Sequence, residues 1–229
     1  MFYANFKSGD RQSQAVGKVV CVGRNYAEHA RELNNPVPSA PLWFIKPGSC
    51  IVPMRDNILI PADRGSCHHE IEVAILIGNK LCRCDEVAAR AAIVGVGLAL
   101  DLTLRDLQST LKEKGHPWEV AKSFDGSCVL SEFIPAAQIT DLQAIEFSLS
   151  VNGAVRQHGA TSSQIFPILQ LLRLASRHFT LEPGDVLLTG TPAGVAALNA
   201  GDLLHAEIPG LLCCDCRVAL DGVSVDQER

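Results

Sequence analysis

The chain has 229 residues, 47% hydrophobic and 20% charged, with a formal net charge of −5. That composition fits a folded globular protein and excludes disordered and fibrous classes. The acidic balance argues against a nucleic-acid partner, and the longest apolar run, Ala91 to Leu100, is too short to cross a bilayer.

Residues 1–16 read as a short N-terminal segment, 17–221 as one domain and 222–229 as a C-terminal tail. MFYANFKSGDRQ lacks the apolar stretch of a secretory signal, and a cytoplasmic location is expected. Lys18 to Val22 predicts a buried strand and Asn25 to Leu33 a short helix. Pro36, Pro38 and Pro41 then forbid regular structure. Leu42 to Lys46 resumes as a strand. His68 to Gly78, HHEIEVAILIG, predicts a single strand buried on both faces. Ile93 to Leu102 predicts another, with Gly95 and Gly97 permitting close backbone approach. Thr103 is placed to cap a helix over Leu104 to Lys114, whose Leu104, Leu107 and Leu111 form one stripe.

Glu146 to Val151 alternates, and Asn152-Gly153 is a strong hairpin signal. Thr161 to Ser163 is placed to cap a helix reaching about His178, with Gln164 available for a capping box. Val186 to Thr189 predicts a strand feeding the Gly190-Thr191-Pro192 turn. Leu203–Ile208 and Leu211–Val218 flank Pro209-Gly210 as a second hairpin. Strands dominate without βαβ alternation, so the fold class is α+β. Nine cysteines at irregular spacing, among them Cys82, Cys84, Cys213, Cys214 and Cys216, lack C-x2-C spacing and read as reduced thiols.

Glu70 and Glu72, at i and i+2, aim the same way from one strand. Their surroundings are apolar, where an unpaired carboxylate is costly. Asp101 ends another apolar strand and offers a third carboxylate. Two like charges about 4 Å apart repel by roughly 4 kcal/mol at an effective dielectric near 20; a divalent cation removes that cost. All-oxygen ligands favour Mg2+ or Mn2+ over zinc. Pairing with Arg or Lys is the competing explanation. His68 shares the glutamates' parity and is a candidate to support them.

His29 and Glu32, at i and i+3, suit a carboxylate-oriented base. Arg105 and Gln108, also i and i+3, can hold a substrate carboxylate. Lys122 can neutralise developing enolate charge. Gly190 and Thr191 can present N–H and hydroxyl donors to an anion.

The stretches VCVGRNYAEHARE (20–32), FIKP (44–47), HHEIEVAILIG (68–78), ALDLTLRDLQ (99–108), KGHPWEVAKSFDGSCVLS (114–131), VNGAVRQHG (151–159) and GDVLLTGTPAGV (184–195) together resemble the fumarylacetoacetate hydrolase family. The likeness is to its small single-domain members. It implies a β-rich mixed roll or sandwich with few helices, usually a homodimer. It also implies a metal, Mg2+ or Mn2+, on Glu70, Glu72 and Asp101, with His29 and Glu32 as the water-activating pair on a lid-forming segment. Lys122, Arg105, Gln108 and Thr191 match substrate-contacting positions, and Lys46 and Arg24 match more loosely. Cys213, Cys214 and Cys216 match no family feature.

The expected substrate is a small keto acid. An acylpyruvate would chelate the ion through its carboxylate and C2 oxygen. Water activated by His29 and Glu32 would cleave its C3–C4 bond, leaving pyruvate enolate. The alternative is oxaloacetate decarboxylation or keto–enol tautomerisation at the same site. A metal-binding scaffold without catalysis is a third possibility.

Overall fold

The computed structural model describes residues 1–32 and 36–222. Its elements in chain order begin with β1 (Lys18–Gly23), α1 (Ala27–Glu32), β2 (Leu42–Pro47), β3 (Ile51–Pro53), β4 (Asp56–Pro61), β5 (Cys67–His69) and β6 (Ile71–Ile77). There follow α2 (Glu86–Ala92), β7 (Ile93–Asp101), β8 (Thr103–Leu104), α3 (Arg105–Glu113), α4 (Glu119–Lys122), β9 (Cys128–Leu130) and β10 (Ile134–Pro135). The chain closes with β11 (Glu146–Val151), β12 (Ala154–Ala160), α5 (Ile168–His178), β13 (Val186–Leu188), β14 (Ala196–Ala197), β15 (Leu203–Ile208) and β16 (Leu212–Asp221).

Strands outnumber helices, as the α+β reading expects, and they form three sheets. One has the order β2-β1-β13-β6-β7-β9-β3, with β10 added beside β7; the second is β12-β11-β15-β16-β4 and the third β14-β5-β8. β6 is buried on both faces, as its sequence predicts. Ile71, Val73, Ile75 and Ile77 enter the larger hydrophobic core, while Ala74 and Leu76 enter a smaller one. Residues 2–16 pack on that smaller core, where Ala4 and Val16 are buried. At Gly97 an added Cβ would lie 2.9 Å from the Ser131 hydroxyl, the close approach its glycine implies.

The predicted hairpins form. β11 and β12 join through Asn152 (φ 53°) and Gly153 (φ 79°), the left-handed pair of a type I′ turn. β15 and β16 pair across Pro209-Gly210.

Three local expectations fail. The strand over His68–Gly78 is two strands, β5 and β6, because the chain breaks at Glu70 and passes between sheets. Thr103 does not cap α3; its hydroxyl donates to the Asp101 carbonyl at 3.2 Å and accepts from Lys122. Thr161 opens a 3-10 turn rather than the long helix, because Pro167 fixes the start of α5. Gln164 is correspondingly turned to the Thr189 hydroxyl at 3.0 Å. Helix α1 spans Ala27–Glu32; the predicted end at Leu33 and residues 223–229 of the expected tail lie outside the described residues.

Antiparallel pairing sets the N-terminal end of β6 beside the C-terminal end of β7, matching Ile71 with Leu100. β13 runs antiparallel to β6 on its other side, and β1 runs parallel to β13. The ends of β1, β7 and β13 therefore meet the start of β6 at one edge of the molecule.

Candidate active site

Glu70 stands at the break before β6, Glu72 one residue into it, and Asp101 ends β7. The Asp101 N–H donates to the Glu70 carbonyl at 2.9 Å, which locks the strand ends together. One ligand oxygen from each carboxylate lies within 4.8 Å of the others, and all three residues are buried. Among the described residues this is the one cluster of three His, Cys, Asp or Glu side chains close enough to share a metal ion.

Basic side chains compensate two of the three. Lys122, buried at the end of α4, donates to Glu70 at 2.8 Å, to Asp101 at 2.6 Å and to the Thr103 hydroxyl at 2.7 Å. Arg105 bonds the other Glu70 oxygen. The Lys46 ammonium lies 2.8 Å from Asp101. Burial opposes ionisation of Glu70, yet Lys122 and Arg105 hold its carboxyl well below the usual range.

Glu72 is different. It accepts the Gly190 N–H at 2.5 Å and makes no ion pair among the described residues. Burial, with Asp101 and Glu70 as like charges, raises its pKa well above normal. A buried all-oxygen donor set with one uncompensated carboxylate suits a hard divalent ion. The cleft above it has a cavity of about 30 Å³, room for an ion or a water molecule.

The cleft is lined by Arg24, His29, Phe44, Arg105, Gln108, Lys112, Trp118, Lys122 and Thr191 around the three carboxylates. On α3, Arg105 donates to the Gln108 side-chain oxygen Oε1 at 2.7 Å, and both residues face the cleft rather than solvent. His29 is buried, and Glu32 approaches its Nδ1 at 3.4 Å. Burial lowers the His29 pKa against the pull of Glu70 and Glu32, which favours the neutral imidazole. Glu32 also accepts the Gly194 N–H at 3.0 Å, which ties α1 to the loop after β13.

Several expected residues stand elsewhere. Lys46 does not line the cleft. It is fully buried beneath Asp101, donating to the carbonyls of Lys122 and Ser127, because β2 carries it under the floor. The Gly190 N–H is consumed by Glu72 and is not free for a substrate anion. At that residue φ is +97° and a Cβ would lie 2.6 Å from the Asn25 Cβ, so glycine is required. His68 meets the Ser66 hydroxyl at 3.1 Å and no site carboxylate, since parity is not carried across the break at Glu70. All nine cysteines are free, and Cys213, Cys214 and Cys216 form no metal cluster among the described residues.

The sequence reading overlooked three contributors. Gln157 is fully buried; its amide NH2 donates to the Thr191 hydroxyl at 2.7 Å and the Pro192 carbonyl at 2.9 Å. Its oxygen lies 2.9 Å from His69 Nδ1 and accepts the Ile71 N–H at 3.0 Å. The Asn25 amide donates to the Phe166 and Thr189 carbonyls at 3.0 and 2.8 Å, pinning the root of α1. Lys112 lines the cleft two turns beyond Arg105. Only its i+7 spacing from Arg105 signalled the last of these.

Comparison with known proteins gives concordant results. The profile described as fumarylacetoacetate (FAA) hydrolase C-terminal matches residues 18–219. The Escherichia coli (strain K12) protein named oxaloacetate tautomerase YcgM is 52% identical over 196 residues, covering 85% of this chain and 90% of the relative. The Homo sapiens protein named oxaloacetate tautomerase FAHD1, mitochondrial, is 43% identical over 200 residues, covering 87% and 90%. A crystal structure of fumarylpyruvate hydrolase from Pseudomonas aeruginosa in complex with Mn2+ and pyruvate superposes with a TM-score of 0.90 at 36% identity, covering 96% of each chain.

Proposed function

This chain belongs to the fumarylacetoacetate hydrolase family, and from that premise we propose that it interconverts the keto and enol forms of oxaloacetate, with decarboxylation as a side path. The observation that carries this reading is the set of three buried carboxylates with the buried ammonium of Lys122 beside them in the cleft. This ordering reverses the expectation from sequence, in which acylpyruvate hydrolysis came first. Relatives at 52% and 43% identity are named oxaloacetate tautomerases, whereas the fumarylpyruvate hydrolase is at 36%.

Glu70, Glu72 and Asp101 would hold the ion, Mg2+ or Mn2+, which supplies Lewis-acid stabilisation of negative charge on the C2 oxygen. Arg105, Gln108 and Thr191 orient the C1 carboxylate. His29, neutral through burial, takes the proton from C3 at Nε2 while Glu32 holds the Nδ1–H. Lys122 stays charged because Asp101 and Glu70 raise its pKa despite burial. With its three N–H groups committed to Glu70, Asp101 and Thr103, it acts on the enolate through its fixed positive charge and is not the base. Loss of CO2 in place of the C3 proton gives an enolate that the same groups stabilise. Phe44 and Trp118, with ring centroids 6.2 Å apart, wall the cleft against water.

The second reading remains acylpyruvate hydrolysis, favoured by the Mn2+ and pyruvate complex of the Pseudomonas aeruginosa relative. There His29 and Glu32 would deprotonate water instead of C3. A homodimer in the cytoplasm completes the proposal; nine cysteines outside disulfides are in keeping with a reducing compartment.

The deciding assay follows decay of the oxaloacetate enol absorbance with purified protein, with and without Mg2+, alongside pyruvate release from acetylpyruvate and fumarylpyruvate. Metal-dependent enol decay should dominate, and His29→Asn should slow it by about a hundredfold or more with Tm little changed. Acylpyruvate cleavage outrunning tautomerisation would install the hydrolase reading instead.

A further inference from the structure

We propose that Lys112, with Arg24 beside it, forms an outer cationic subsite that selects dianionic 2-oxo dicarboxylic acids over monoanionic acylpyruvates. The inference rests on the cleft being a 2-oxo acid site and adds which member of that class it takes.

Arg105, Gln108 and Lys112 lie at i, i+3 and i+7 on α3 and all line the cleft. The helix rises about 10 Å from the first to the last, so this face runs from Glu70 outward. Burial falls along the same line: Glu70 and Gln108 are buried, while Arg24 and Lys112 are half-exposed. The cations differ in what they meet. Arg105, Lys122 and Lys46 each pair with a site carboxylate. Among the described residues, Lys112 and Arg24 make no ion pair. The Lys112 ammonium instead sits 5.2 Å from the Trp118 ring centroid, a contact that fixes its position without neutralising it. Burial, with Arg105 and Arg24 as like charges, lowers its pKa to about 8, so a carboxylate placed against it would favour the charged form.

A ligand that presents one carboxylate to the inner end and a second outward satisfies both ends of the cleft. An acylpyruvate with a neutral tail leaves Lys112 unanswered.

The test compares Lys112→Met, with Lys112→Arg as the conservative control, on oxaloacetate and on its C4 methyl ester. Lys112→Met should raise KM for oxaloacetate about tenfold, the loss of one charged hydrogen bond. Its kcat, and KM for the ester, should stay within about twofold, and Lys112→Arg should restore KM. Equal changes on both substrates, or none, overturn the proposal. Calorimetric binding in Mg2+ separates this from the activity itself. Difluoro-oxaloacetate, which cannot enolise, should bind Lys112→Met about tenfold more weakly. Oxalate, which engages only the inner end, should bind unchanged. That binding difference stands or falls even if no tautomerisation is detected.

Discussion

Glu72 is the residue on which the site's electrostatics turn. Glu70 and Asp101 have lysine or arginine partners, but Glu72 has a single backbone N–H. A buried carboxylate without a counter-charge destabilises the protein until a cation arrives. Glu72→Gln should therefore leave the metal-free protein at least as stable as wild type, with an equal or higher Tm in chelator. The same variant should lose the stabilisation that Mg2+ gives the wild type. Differential scanning calorimetry with chelator and with Mg2+ checks both, and a Glu72→Gln protein that still gains stability from Mg2+ would refute the assignment. The convergence of Glu70, Glu72 and Asp101 was legible because carboxylates in apolar strands are conspicuous. Gln157 and Asn25 were not, since a polar residue whose bonds all go to distant backbone and side chains leaves no local periodicity.

At the scale of elements, what could be read was whatever short-range physics decides. Asn152-Gly153 fixes a hairpin by its own dihedrals, and β6 announces its double burial in every residue. The break at Glu70 was invisible because Cys67 to Ile77 is uniformly strand-like. The break is set by β5 joining β14 and β8 while β6 joins β13 and β7. Thr103 likewise resembles a cap, but the Lys122 ammonium claims its oxygen.

The β15–β16 hairpin carries a pH-dependent contact of its own. His205 and Asp215 are direct cross-strand partners, with Nδ1 and Oδ1 2.7 Å apart. The hydrogen bond to Asp215 raises the His205 pKa above 6.5. Its stabilisation is thus complete below the unfolded pKa and lost as pH rises through the folded one. The pair is exposed, so it contributes at most about 1 kcal/mol. Asp215→Asn should lower Tm by about 1–3 °C at pH 6 and leave it unchanged at pH 9. Thermal melts at the two pH values test this, and equal loss at both would assign the effect to packing.

For the molecule as a whole, the proposed metal would join stability to activity. An ion bound to the folded state at a hundred times its Kd stabilises by about 2.7 kcal/mol. In a chain of this length that is a Tm rise of roughly 5–10 °C. Chelator should reverse the rise and abolish turnover together, and readdition of Mg2+ or Mn2+ should restore both. Activity that survives exhaustive chelation would show that the carboxylates serve folding alone. The fold reaches this arrangement through three parallel pairs, β1 with β13, β3 with β9 and β4 with β16. β1 is the consequential one, because its Val19 waits for Val186. As the chain leaves the ribosome, Glu70, Glu72 and Asp101 all emerge long before β13, the strand that seats Gly190 against Glu72. On the proposed reading, the nascent protein carries the three carboxylates unassembled until β13 has been made, and can capture an ion only after Gly190 has emerged.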